Sequence, residues 1–92
     1  MAGNGMKGMD PERGNEVVNQ IGVRIEMEQD RITALEAIKA ALEANWHGAD
    51  SQAMIQRVEE AIEIDRRLVE ALEGKKTELQ ADVEEQINTS AQ

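Results

Sequence analysis

Hydrophobic residues recur every three or four positions through two long stretches of this chain, and one break separates them. The first run passes through Val18, Ile21, Ile25, Glu28, Ile32, Leu35, Lys39 and Leu42 to Trp46. The second passes through Ile55, Val58, Ile62, Asp65, Val69, Leu72, Lys76, Leu79 and Val83, then Gln86 or Ile87. A 3-4 spacing held this long belongs to a helix that buries one stripe against another helix. Val17 and Ile38 widen the first stripe, Ile64 and Leu68 flank the second, and Met54 falls on the inward flank of the second helix. The pattern predicts an all-α protein, an antiparallel helix-turn-helix hairpin. The expected core of the hairpin or of its dimer is Val18, Ile21, Ile25, Ile32, Leu35 and Leu42 with Met54, Ile55, Val58, Ile62, Val69, Leu72 and Leu79.

Local signals set the boundaries. Asp10-Pro11-Glu12 places an N-cap, a proline at the first helical position and an acid in the first turn. Gly48 suits the positive φ that ends a helix, and Asp50 or Ser51 can cap the next one. Helix 1 is therefore expected over about residues 11–45, the turn over 46–50 and helix 2 over about 51–87, within a hairpin covering 10–88. Residues 1–9, rich in glycine and methionine, read as a flexible arm, and the tail from about Asn88 through residues 89–92 is expected to fray. Gly14 and Gly22 soften the first helix and Gly74 the second.

Charges interrupt both stripes at matching intervals, Glu28 then Lys39 and Asp65 then Lys76. In an antiparallel hairpin centred near residue 48, facing residue numbers sum to about 95. Glu28 then lies near Arg66 and Arg67, and Asp65 near Arg31, pairs that would satisfy the charges and fix register. The alternative is that Glu28 and Asp65 border the seam and face water.

A hairpin of 92 residues buries only one stripe per helix and is marginal alone. Pairing into a four-helix bundle is the expected remedy, so a dimer is expected. The formal charge is −9, from 19 acidic and 10 basic residues. It divides into about −3 up to Trp46 and about −6 beyond, spread along solvated helix faces. Such a surface repels phosphate backbones and anionic lipid, so neither nucleic-acid binding nor membrane insertion is expected.

Catalysis finds no foothold. The chain has no cysteine and one histidine, His47, which reads as a solvent-facing turn residue. Carboxylates such as Glu59, Glu60 and Glu63 sit at helical spacing from Arg66 and Arg67, a solvated pairing pattern. A general acid–base pair needs a pocket that a slender hairpin does not offer. No cofactor, no metal and no enzymatic activity are expected. No apolar run has the length of a signal-peptide core, so export, if it occurs, would bypass a cleaved signal.

Trp46 is the only aromatic residue, placed where the chain must reverse. By itself such a residue can simply lid the tip of a hairpin. Trp46-x-Gly48 between two helices, with Ala53 and Met54 five and six residues beyond the glycine, resembles the WXG-motif family of small type VII (ESX) secretion substrates, of the early secreted antigenic target-like kind. The resemblance covers most of residues 10–88. It implies a hairpin that pairs antiparallel into a four-helix bundle, as a homodimer or as a heterodimer with another WXG-like or larger helical protein. It also implies synthesis in the cytoplasm of a mainly Gram-positive host, then export by a membrane ATPase without a cleaved signal peptide. In the family, the Trp-x-Gly turn lies near a Tyr-x-x-x-Asp/Glu signal on the partner's tail, and the two form one recognition element. Trp46 and Gly48 are the residues to which that role carries over. This chain departs from the pattern in having no tyrosine. The departure favours an escort whose partner supplies the signal. The competing expectation is an adaptor coiled coil retained in the cytoplasm, with Trp46 only a cap.

Overall fold

A computed structural model describes residues 10–91, with side chains through residue 89. The expected arm, residues 1–9, and Gln92 lie outside the described residues. Two helices follow one another, α1 (Pro11–Asn45) and α2 (Ala49–Ala91), and pack as an antiparallel hairpin. The molecule measures 66 × 21 × 13 Å. Its length is that of α2 itself, since 43 residues at 1.5 Å rise span about 64 Å. Its thickness is that of one helix.

Asp10 begins α1 as the spacing predicts. Its Oδ1 accepts the Glu12 N–H at 3.0 Å, and Pro11 occupies a position whose missing N–H leaves no bond unmade. The other end turns tightly. Trp46 leaves the helix with extended backbone while its N–H still bonds Leu42 O at 3.0 Å. Gly48 then takes φ +115°, a conformation that side chains rarely adopt. Its carbonyl accepts both the Gln52 N–H at 3.2 Å and the Ser51 hydroxyl at 2.9 Å.

These bonds revise the expected boundaries. The turn needs only residues 46–48, because the Gly48 carbonyl already anchors α2, which starts at Ala49 and not at residue 51. Ser51 is therefore not a cap: its fully buried hydroxyl donates back to Gly48 from inside the first turn. Helix α2 also continues past residue 87 and through the expected frayed segment to Ala91.

The core is one narrow seam. On α1 it runs Pro11, Gly14, Val18, Ile21, Ile25, Glu28, Ile32, Leu35, Lys39, Leu42, all buried or half-buried. On α2 it runs Ser51, Ile55, Val58, Ile62, Asp65, Val69, Leu72, Lys76, Leu79, Val83, Gln86, again without an exposed member. The alternation of four and three is unbroken along both helices, the spacing of a coiled-coil contact. Gln86 continues the seam, while Ile87 is exposed. Met54 does not join the seam of the single hairpin: it is 39 % exposed, because it precedes the seam residue Ile55 and, among the described residues, points away from the other helix. Val17, Ile38, Ile64 and Leu68 are exposed for the same reason.

The seam charges are buried and turn sideways to partners. Glu28 and Asp65 are 6 % and 7 % exposed, so they do not face water. Arg31 Nε donates to Asp65 Oδ2 at 2.8 Å across the hairpin, the expected pair. Glu28 differs from expectation, accepting instead from Arg24 Nε at 2.9 Å, one turn earlier on its own helix. Arg66 reaches across to Glu36 at 2.7 Å, and Arg67 bonds Glu63 at 3.3 Å along α2. Lys39 leaves the seam on the other side for Glu59, 2.9 Å away. That hydrogen bond and the Glu59 charge raise the Lys39 pKa above its ordinary 10.5, with help from Glu43 and against partial desolvation and Arg66.

Candidate functional site

The seam leaves each helix with two flanks, and their chemistry differs sharply. Residues immediately following seam residues make one flank. It carries nine carboxylates, Glu12, Glu26, Glu36 and Glu43 from α1 and Glu59, Glu63, Glu70, Glu73 and Glu84 from α2, against Arg66 alone. Residues immediately preceding seam residues make the other. There five bases, Arg13, Arg24, Arg31, Arg57 and Lys75, balance five acids, Asp10, Asp50, Glu78, Asp82 and Glu85. The acidity expected to be spread over solvated faces is thus gathered in space. Nine acids against one base leave a net −8 on a single flank of a chain whose total is −9.

Exposed apolar side chains separate the opposite way. Of the nine large hydrophobic residues exposed to solvent among the described residues, six precede seam residues and sit on the neutral flank: Val17, Met27, Ile38, Met54, Ile64 and Leu68. Single exposed hydrophobics are ordinary on a protein surface, and here Arg24, Arg31 and Arg57 lie between them along the flank.

Trp46 belongs to the acidic side. It is 43 % exposed and lines an open groove of about 760 Å³ at the tip, together with Glu43, His47, Gln52, Ala53, Ile55, Gln56 and Glu59. The extended backbone at Trp46 throws the indole off the end of the seam, and the tight reversal at Gly48 brings the first turns of α2 alongside it. Of the two residues singled out after the turn, Ala53 joins Trp46 in this groove, and Met54 stands on the opposite flank. The turn therefore offers a large aromatic surface edged by two carboxylates and two amides. Its lining residues include no serine, threonine, cysteine or lysine.

The other expected core residues fall into two groups. Val18, Ile25, Ile55, Val58, Ile62 and Val69 are buried; Ile21, Ile32, Leu35, Leu42, Leu72 and Leu79 are half-buried. Among the described residues, no three histidine or carboxylate side chains gather closely enough to hold a metal ion. No described helix is long and apolar enough to cross a membrane. Compared with protein-family models, curated proteins and solved structures, the chain matches none.

Proposed function

We propose that this chain is a small non-enzymatic protein that is exported by, or escorts substrates to, a bacterial type VII (ESX) secretion system. It works by pairing its helices with those of a partner, a second copy or another WXG-like or larger helical protein. The Trp46-x-Gly48 turn forms part of the element that the export ATPase recognises. One observation carries the reading. The only aromatic residue of the chain stands half-exposed in a groove at the hairpin's reversal, and the glycine two residues on adopts the positive φ that makes the reversal. An indole needed solely as a lid would be expected to close over the seam below it.

The test is fractionation of a host culture with and without a working export ATPase. The chain is expected in the medium only when the ATPase works, and Trp46→Ala is expected to stay inside while keeping its thermal stability. Gly48→Arg should also block export, by reshaping the groove. Loss of stability and export in equal measure would reduce Trp46 to a structural cap.

The unbroken seam along both helices favours a second reading, an adaptor coiled coil retained in the cytoplasm. It predicts the same cellular location whether or not the ATPase functions.

A further inference from the structure

We infer that the Trp46 groove binds a guanidinium, the side chain of an arginine on the protein that the turn contacts. The inference rests on the proposed function for one premise, that this groove is a recognition surface, and it names the chemistry recognised.

Three grooves open on the acidic flank between the helices, and their charges differ. In the middle groove Glu36, Glu59 and Glu63 already hold Arg66, Lys39 and Arg67. In the groove farthest from the tip, Lys76 reaches over Gly22 and shares the opening with Glu26 and Glu73, and no aromatic ring lines it. The tip groove departs from both. It holds the only aromatic ring of the chain, and the side chain of Glu43 on its edge has no ion pair or hydrogen bond among the described residues.

Charge sets the sign of the ligand. Glu43 and Glu59 bring two negative charges to the groove, and Lys39, bonded to Glu59 at 2.9 Å, cancels one of them. One negative charge remains, which one monovalent cation neutralises. The flank around it, nine acids against one base, draws cations toward the groove and repels an acidic ligand.

Shape selects arginine over lysine. Glu43 stands one helical turn before Trp46, so a carboxylate and an indole border the same opening. A planar guanidinium stacks on an indole while its fork of N–H donors bonds a carboxylate. An ammonium is a compact, strongly hydrated point charge and matches neither geometry as well. The amide oxygens of Gln52 and Gln56, on the α2 side of the groove, can accept the remaining donors. At about 760 Å³ the opening falls within the roughly 300–1,000 Å³ of ligand sites, with room for the side chain and the backbone that carries it.

The test is a titration of the purified full-length chain with end-blocked pentapeptides in which glycines flank a single arginine, lysine or citrulline. Trp46 gives the only indole N–H signal of the protein in proton–nitrogen correlation spectra, and that signal reports occupancy of the groove. The arginine peptide is expected to shift it saturably and the lysine peptide to bind several-fold more weakly. The citrulline peptide, of the same shape without the charge, should not saturate. Glu43→Gln should weaken the arginine peptide by about two- to fivefold. Trp46→Leu, followed at the side-chain amides of Gln52 and Gln56, should weaken it by about two- to tenfold. Lys39→Gln should do the opposite and tighten it by about two- to fivefold, because it frees Glu59. Equal binding of the arginine peptide and either of the others, or binding that neither charge variant changes, would overturn the inference. A chain that leaves the cell with ATPase dependence yet ignores the arginine peptide would overturn the guanidinium site and leave the export reading standing. A chain that binds the peptide as expected and stays inside the cell would do the reverse.

Discussion

Ile62 and Ile64 are two residues apart on the same helix and differ in what covers them: one is 5 % exposed, the other 63 %. Replacing each with valine removes one methylene. At a closed site that change loses about 0.8 kcal/mol of transfer free energy, and measured costs run about 0.5–1.5 kcal/mol once the residual cavity is included. Ile62→Val is therefore expected to destabilise the hairpin by about 1 kcal/mol. At Ile64 only about a third of the side chain has left water, so the same change should cost about 0.3 kcal/mol. Urea unfolding followed by helical circular dichroism, with an unchanged dependence on urea, reads both values. Equal costs would refute the assignment of seam and flank.

Four further substitutions probe the turn, a mid-helix glycine, a buried charge and an ion pair. Gly48→Ala should lower stability by about 1–2 kcal/mol, since the site is open but its φ is +115°. Gly74→Ala, mid-helix with nothing near its added methyl, should raise stability by up to about 1 kcal/mol; thermal melts decide both, and a stabilising Gly48→Ala would contradict the turn geometry. Asp65→Leu should stabilise the hairpin by about 1 kcal/mol or more, because a buried carboxylate gives way to an apolar residue while Arg31 remains solvated. Its cost should be a looser register, visible as multiple amide signals in nuclear magnetic resonance spectra; strong destabilisation would show that the Arg31–Asp65 pair itself holds the helices together. For Lys39 the folded pKa is raised above 10.5, so its contribution is complete below that value and disappears as pH climbs through the raised one. The melting-temperature difference between wild type and Lys39→Gln should stay constant from neutrality to about pH 10 and shrink beyond it; a difference that grows in alkali would contradict the pairing with Glu59.

From Val18 to Leu42 and from Ile55 to Gln86 the seam was legible residue by residue, because a 3-4 spacing over this length has one structural solution, whereas Trp46 leaves it and Pro11, Gly14 and Ser51 extend it. The N-terminal cap and the Arg31–Asp65 crossing followed from local chemistry and hairpin register. Glu28 was less legible: the assumed register offered Arg66 and Arg67, but these bond Glu36 and Glu63, and Arg24 stood four residues back on the same helix. The intrahelical partner needs no long side chain to be ordered across a gap, and it won. Met54 and the other residues that precede seam positions look like core on a helical wheel. Only the depth of the structure, one helix, leaves them uncovered. The start of α2 depended on one backbone carbonyl, at Gly48, which residue types do not announce. The division of charge between flanks was present in the sequence all along. It becomes visible once each residue is placed before or after its seam neighbour, and counting along the chain hides it.

The export reading requires that Trp46 stand open to a partner when the hairpin is folded and paired. As the sole aromatic residue it reports on itself, so acrylamide quenching of its fluorescence tests this directly. Acrylamide is uncharged and is not held off by the acidic flank as iodide would be. Quenching is expected at a large fraction of the rate seen in urea. A blue-shifted emission that acrylamide does not reach, in the free hairpin or on pairing, would make Trp46 a lid and contradict the account.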